Sequence, residues 1–439
     1  MSWIVRSRYV LTMDREHRLI EDGAIAIQGE RIVAVGSASE IARQYTGQHC
    51  LDRTNSVIMP GLIDTHTHAA MSLLRAFADD KRLQDWLTHY IFPAESKNVS
   101  PDFVKWGTKL ACLEMSLAGI TTYTDMYYFE DTVAEATKQA GIRGVLGQTI
   151  IGFPAPDYKT WRDTIAGTEK YIQKYRGDPL ITPAVAPHSI YTLPDDALKA
   201  SHELAIKYGV PLLIHLSETK KEVTDALAQR GMTPTELLLK LGVLDGRVVA
   251  AHGVWESDND LRIFKDKGTG VAHCPSSNTK LASGIAPVTK MLKMGISVGL
   301  GTDGFAGSND TADLIAEMSL AAKLQKVTQM DPEVLPAEQV LEMATIDGAR
   351  VLGLDKEIGS LEPGKRADLI AVSLAPPNAI PLYNLYSQLA YAAKSADVED
   401  VFVNGQQIVQ DRHMLTIDAN EVESEARMWR KRITASMKH

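Results

Sequence analysis

Residues 210–229, VPLLIHLSETKKEVTDALAQ, decide how the fold is read. Val210–Leu216 is an apolar run of strand length. It passes directly into a polar, amphipathic stretch. Ser217 or Thr219 can cap a helix there, and Glu218 sits where the helix dipole favours a carboxylate. A strand feeding a helix in this way is one βα unit, and the unit recurs on both sides. Short apolar runs begin at Gly61 (GLIDTH), Ile120 (ITTYTD), Gly144 (GVLGQTII) and Leu180 (LITPAVAP), and again at Arg247 (RVVAAH), Gly270 (GVAHC) and Ile296 (ISVGLGTD). Helix patterns lie between them. Ser100-Pro101 opens one that ends near Gly119, and Thr192-Leu193-Pro194-Asp195 opens one that ends near Gly209. Thr233-Pro234-Thr235-Glu236 reads as a capping box with proline at the first helical position, ending near Gly242. Eight strands alternating with helices predict an α/β fold, a (β/α)8 TIM barrel over residues 57–360. The competing doubly wound sheet is disfavoured, because no GxGxxG follows the first strand.

Both ends of the chain have a different character. AIAIQGERIVAVG places two apolar stretches around Gly29, a hairpin pattern. VEDVFVNGQQIVQD sets Asn404-Gly405 between apolar runs, a strong two-residue hairpin signal, and PGKRADLIAV reads as another strand. No short-period repeat or low-complexity segment interrupts the chain.

Composition narrows the function classes. The 439 residues carry 46 Lys plus Arg against 55 Asp plus Glu, a net charge of −9 with neutral histidine. That balance disfavours binding nucleic acid through its phosphates. No apolar run approaches the roughly 18 residues that cross a bilayer, so no membrane association is expected. The opening MSWIVRSRYVLTMDREH is broken by charge too early for a signal peptide. Three cysteines, Cys50, Cys112 and Cys274, form no CxxC pair, which argues against a disulfide scaffold or a thiolate zinc site and fits a cytoplasmic location.

The polar residues at the strand ends carry the chemistry. His66 and His68 close the first barrel strand as HTH, and side chains two apart on a strand point the same way. His215 ends the fifth strand, His252 the sixth, and Asp303 follows the eighth. Catalytic groups of such barrels come from the C-terminal ends of several strands. His66, His68, His215 and Asp303 make a nitrogen and oxygen ligand set for one divalent ion, with a position left for water. Zinc is expected, with Fe2+, Mn2+ or Ni2+ as alternatives. Any one of these residues taken alone reads more readily as a satisfied polar group than as a ligand; the set at five strand ends carries the reading. His273, ending the seventh strand, stays open between a rim hydrogen bond and packing. His17, His49, His89, His202, His413 and His439 read as surface or structural. Glu218, three residues beyond His215, is either a proton shuttle beside the ion or a helix N-terminal carboxylate. Nucleophilic catalysis is disfavoured: Ser276 and Ser277 lack a GxSxG elbow, and Cys274 has no evident partner.

GLIDTHTH, LLIHLSET, VVAAHGV, HCPSSNTKLASGIAPV and GLGTDG together resemble the amidohydrolase superfamily, over nearly the whole chain. HTHAAMSLLRAFADD, FPAE and APHSIY resemble its methylthioadenosine/S-adenosylhomocysteine deaminase branch. The resemblance implies a metal-bearing barrel with a small discontinuous β-sandwich, here residues 1–56 and 361–439, the latter with a terminal helix. Many superfamily members bridge two metals with a carboxylated lysine at the end of strand four. Here that strand ends in Pro187-His188, so the resemblance is to the mononuclear aminohydrolases. It implies that Glu218 protonates a purine ring nitrogen, that His252 orients the attacking water, and that Asp303 takes a proton as well as binding the ion. It further implies that Glu95 accepts ribose hydroxyls and that His188 makes a second substrate contact. Gln148 stands where members accepting S-adenosylhomocysteine can carry an arginine for the carboxylate of the tail, with Arg143 and Arg162 nearby as possible replacements. The implied substrate is a small adenine nucleoside, and a homo-oligomer is expected. Triazine, pterin, guanine or cytosine aminohydrolases are the alternatives, and a non-catalytic barrel is the remote one.

Overall fold

In a computed structural model, which describes residues 2–437, two sheets organise the chain. Strands β1 (Ser2–Leu11), β2 (Leu19–Gln28), β3 (Arg31–Ser37) and β4 (His49–Pro60) precede the barrel. The barrel strands are β5 (Leu62–His68), β6 (Ile120–Tyr127), β7 (Arg143–Ile150), β8 (Ile181–Pro187), β9 (Leu212–Leu216), β10 (Val248–His252), β11 (Gly270–His273), β12 (Val298–Leu300) and β13 (Asp303–Gly304). Strands β14 (Leu369–Ser373), β15 (Val398–Val403), β16 (Gln406–Gln410) and β17 (His413–Met414) follow it.

Strands β5 to β13 pair in parallel in the order β12-β11-β10-β9-β8-β7-β6-β5-β13. The run expected as one eighth strand is broken at Gly301-Thr302. Its first half pairs with β11 through Val271↔Val298, and its second half pairs with β5 through Asp303↔Thr67. One interrupted strand therefore touches both edges and closes the cylinder. Close approach explains the glycine next to the break: a Cβ on Gly299 would lie 2.5 Å from the Thr65 methyl carbon. Strand β5 is buried from Leu62 to Thr67, as expected of a parallel strand covered on both faces.

The helices begin and stop for the reasons legible in their sequences. Ser100 caps Pro101–Leu117 through the Phe103 N–H. Thr233 and Glu236 form a complete capping box on Pro234–Leu241. Asp195–Tyr208 stops at Gly209, which takes φ 65°, a conformation that costs a residue lacking a Cβ little.

The eight terminal strands form one sheet in the order β17-β16-β15-β14-β4-β1-β2-β3. It folds over its own core, where Val5, Ile25, Ile58, Leu369 and Phe402 pack together. The β2–β3 turn meets the β15–β16 turn so closely that a Cβ on Gly405 would sit 2.1 Å from the Gly29 carbonyl oxygen. Helix Ala419–Ser436 leaves this sheet and packs on Pro101–Leu117 of the barrel, with the Trp429 and Phe103 rings 5.4 Å apart. No helix among the described residues is long and apolar enough to cross a membrane.

Candidate active site

The C-terminal ends of β5, β9 and β10 and the start of β13 bring His66, His68, His215, His252 and Asp303 into one ring. The ring nitrogens and carboxylate oxygen of His66, His68 and Asp303 lie within 4.8 Å of one another, as do those of His66, His215 and His252. Asp303 Oδ1 stands 3.4 Å from His66 Nε2 and 3.3 Å from His68 Nε2.

The ring fits a cation on its own geometry. His68 Nδ1 lies 2.7 Å from the Met126 carbonyl, and His215 Nδ1 lies 2.9 Å from the His188 carbonyl. A carbonyl only accepts, so each Nδ1 carries a proton, and each Nε2 presents a lone pair whenever its ring is neutral, as ion binding requires. Those two Nε2 atoms face each other at 3.2 Å. His66 Nε2 is buried with no hydrogen-bond partner. Ring nitrogens gathered around a carboxylate, with two of the imidazoles oriented through their far nitrogens, are what a divalent metal requires. Burial lowers the His66 pKa to about 4, keeping that imidazole neutral. Despite its own burial, Asp303 is held well below the usual carboxylate range by His66 and His68.

Buried carboxylates brace the ring. Asp64 accepts from the Thr302 N–H (3.0 Å), the Thr302 hydroxyl (2.6 Å) and the His66 N–H (3.3 Å), tying β5 to the turn before Asp303. Ser277 donates its hydroxyl to Asp303 Oδ2. Glu317 accepts from the Ser276 N–H at 3.0 Å and the Asn309 amide at 2.9 Å. His252 and Asp303 themselves take left-handed backbone angles, φ 73° and 62°. Such angles cost a side-chain-bearing residue about 1–3 kcal/mol and persist where the surroundings enforce them.

Glu218 and His252 meet beside the ring, with His252 Nε2 3.9 Å from Glu218 Oε2. His252 Nδ1 sits 3.0 Å from Asn278 Oδ1, which fixes its proton on Nδ1 and leaves Nε2 toward the cleft. Burial raises the Glu218 pKa, so its carboxyl can hold a proton.

The ring opens into a cleft lined by His68, Glu95, His188, Glu218, His252 and Asp303 on its polar side. Glu95 lies in its wall, 5% exposed, accepting from the Tyr127 hydroxyl at 2.6 Å, and burial raises its pKa to about 7. His188 also lines the cleft, its ring 4.7 Å from that of His215 and its Nδ1 near Ser189 and Thr192 hydroxyls. Much of the remaining wall is apolar. Residues Leu83–Asn98 run as one helical segment with a π turn at Leu87–Ile91 and present Leu83, Trp86, Leu87, Ile91 and Phe92 to the cleft. Asn278, Ser277 and this wall had no signal in strand-end spacing, since they lie on helices and meet the ring only in space; Tyr127 does end β6, but a tyrosine there is neither an ion ligand nor an acid–base candidate by type. From one turn to the next the wall's apolar positions lie three to five residues apart, the trace a helical face with a π turn leaves.

Gln148 is placed differently. It is 4% exposed and does not line the cleft. Its amide oxygen accepts from the Glu130 N–H (3.3 Å), and its nitrogen donates to Asp157 (2.8 Å). Strand alternation turns Gln148 toward the surrounding helices and its neighbour Thr149 into the cleft. Arg143 pairs with Asp368 at 2.9 Å, and Arg162 lies over the Trp161 ring, so neither substitutes for an arginine in the cleft. Neither His273 ring nitrogen finds a hydrogen-bond partner among the described residues, and its ring does not line the cleft. His17 bridges Glu338 and Glu342, His202 bonds the Asp245 carbonyl, His49 packs on Trp3, and His89 and His413 are exposed. His439 lies outside the described residues.

A closed parallel barrel with a buried imidazole and carboxylate ring at its C-terminal face defines the class, a barrel hydrolase built to use a divalent ion. The chain belongs to the amidohydrolase family, whose profile matches residues 57–408. It is 46% identical over 437 residues to a 5-methylthioadenosine/S-adenosylhomocysteine deaminase of Thermodesulfovibrio yellowstonii, covering 99% of each chain. A second protein of that name, from Syntrophus aciditrophicus, is 45% identical over 98% of this chain and 97% of its own. Among solved structures, an adenosine deaminase from Xanthomonas campestris with bound zinc superimposes with a TM-score of 0.97 at 36% identity, covering 99% of this chain and 98% of that one. Atrazine chlorohydrolase from Arthrobacter aurescens, complexed with zinc, matches with a TM-score of 0.91 at 26% identity, covering 97% and 99%.

Proposed function

We propose that this protein hydrolytically deaminates an adenine nucleoside to the hypoxanthine nucleoside and ammonia. The observation that carries the reading is the meeting of Glu218 and His252, 3.9 Å apart, at the edge of the metal-type ring inside the cleft. The near-full-length relatives named as deaminases of such nucleosides support it.

His66, His68, His215 and Asp303 would hold one divalent ion, and three imidazoles with one carboxylate suit zinc, which also binds to the Xanthomonas protein. Such an ion, when bound, supplies water of lowered pKa, a usable nucleophile near neutral pH. Asp303 would take one proton from the attacking water as its oxygen adds to C6 of the purine. His252, with its proton on Nδ1, accepts a hydrogen bond from the water at Nε2 and fixes its line of attack. Glu218 gives its proton to N1, so the ring does not accumulate negative charge. Glu218 then takes back the hydroxyl proton as the C6–N bond breaks, and the proton held by Asp303 leaves with the amine as ammonia. Glu95 accepts ribose hydroxyls, and His188 makes a second substrate contact.

The 5′ substituent is an uncharged one: 5′-methylthioadenosine, 5′-deoxyadenosine or adenosine in preference to S-adenosylhomocysteine. No lysine or arginine stands among the residues lining the cleft, while Glu95, Glu218 and Asp303 do. A carboxylate-bearing tail would find no cationic partner there. The test is ammonia release from adenine, guanine, cytosine and pterin compounds, with metal content measured on the same sample. Adenine nucleosides should be preferred; a better guanine, cytosine or pterin substrate would overturn the reading.

A further inference from the structure

The turn that carries Glu218 is held from two sides. After β9 the chain enters Ser217 with φ 51°, a left-handed angle that serine adopts only under constraint. The Ser217 carbonyl accepts from the Val254 N–H at 3.1 Å and the Trp255 N–H at 3.0 Å, so the turn following His252 grips it. On the other side stands Glu222, 7% exposed. Its Oε1 accepts from the Ser217 N–H at 3.1 Å and its Oε2 from the Glu218 N–H at 2.9 Å.

Glu222 occupies the third position of helix Lys220–Arg230, whose N-cap is Thr219. In a capping box the glutamate at that position turns back to the N-cap N–H. Here its two bonds fall one and two residues earlier, on the acid itself and on the strained residue before it. Capping the helix is already served by the Thr219 hydroxyl, which accepts from the Glu222 N–H at 3.2 Å. A carboxylate with each oxygen on one of two consecutive N–H groups fixes the plane of both peptides. The direction in which the Glu218 side chain leaves the backbone follows from that plane.

We propose that Glu222 is the positioning residue of the catalytic acid: it sets the backbone of Glu218 so that its carboxyl meets His252 and the purine N1. The proposal rests on the reading of Glu218 as that acid.

Glu222→Gln keeps the size but has one acceptor oxygen and sets an NH2 against a backbone N–H. Misplacing a catalytic group by about 1 Å can cost roughly 100-fold. The expected result is a fall in kcat of about 10- to 100-fold, with KM within about threefold and metal content unchanged. Glu222→Asp keeps both acceptor oxygens and should recover part of that kcat; it also serves in every comparison if the Gln variant does not fold. Thr219→Ala, which loosens the same helix start without touching the two clamped N–H groups, should lower the melting temperature and leave kcat. The decisive measurement is the double variant. In a Glu218→Gln background, Glu222→Gln should lower kcat no further, because no acid remains to be positioned. Independent, multiplying losses would overturn the proposal, as would an unchanged kcat in folded Glu222→Gln. Unchanged turnover in Glu218→Gln alone would instead overturn the assignment of the acid.

Discussion

The ring of polar residues and the apolar wall facing it are built by opposite means. Each ring residue stands at or beside a strand end whose neighbours are set by sheet pairing, as in Asp303↔Thr67 and Ala251↔His215. Buried carboxylates such as Asp64 and Glu317 then lock the turns between the ring positions. The wall comes from one helical segment, Leu83–Asn98, with no strand pairing, its outer face exposing Gln84, Asp85 and His89. Reaction geometry needs tolerances near 0.5 Å, which a closed sheet supplies. Substrate choice needs only a shape, which a peripheral helix can change without disturbing the barrel. The ring therefore sets which chemistry is possible, and the wall sets which molecule receives it.

That division can be broken most sharply at the ring. Removing the divalent ion with a chelator, or replacing His66 or Asp303 by alanine, should take ammonia release to background, with ion content measured alongside. A fully active metal-free protein would remove the basis of the comparison. Next in size, Glu218→Gln should cost about 100-fold or more in turnover while ion content and melting temperature stay near wild type. Loss of the ion in that variant would make Glu218 a ligand.

The wall should show the complementary behaviour. S-adenosylhomocysteine should have a kcat/KM about 10- to 100-fold below that of 5′-methylthioadenosine, the value of an unmet hydrogen bond to a charged group. Phe92→Arg, at the wall, should narrow the gap by several-fold and leave ion content unchanged. If S-adenosylhomocysteine is already the better substrate, the wall does not select as described.

The smallest effect concerns a brace. Burial raises the Glu317 pKa to about 7, above the ~4.3 of an unfolded chain. The folded state then binds the proton more tightly, so this stabilising contribution is complete below about pH 4 and is lost as pH rises through about 7. Glu317→Gln lacks that dependence. Its melting temperature relative to wild type should rise between pH 5 and 8, by the equivalent of on the order of 1–3 kcal/mol. A constant difference across that range would show that the carboxyl does not titrate there.

Much of the site is legible because parallel strands end at regular intervals. His66, His68, His215, His252 and Asp303 each follow an apolar run of strand length, and a barrel brings the ends of such runs together. Glu95 is not legible in this way. As one carboxylate on an amphipathic stretch it reads as a surface residue, and only packing against Tyr127 shows it buried in the cleft. Gln148 shows the reverse. It lies on a barrel strand, yet alternation points it away from the cleft and into bonds with Asp157 and the Glu130 N–H.

From sequence alone follow the alternation of strands and helices, the caps that start and stop the helices, and the set of residue types able to hold an ion. These depend on periods of two and 3.6 residues and on local hydrogen bonding, which neighbours along the chain determine. Tertiary structure decided the break at Gly301-Thr302 that closes the barrel, the folding of one terminal sheet over its own core, the clamp of Glu222 on Glu218, and the wall opposite the ring. Each of these joins residues through space, where the closed barrel rather than chain proximity sets which side chains meet.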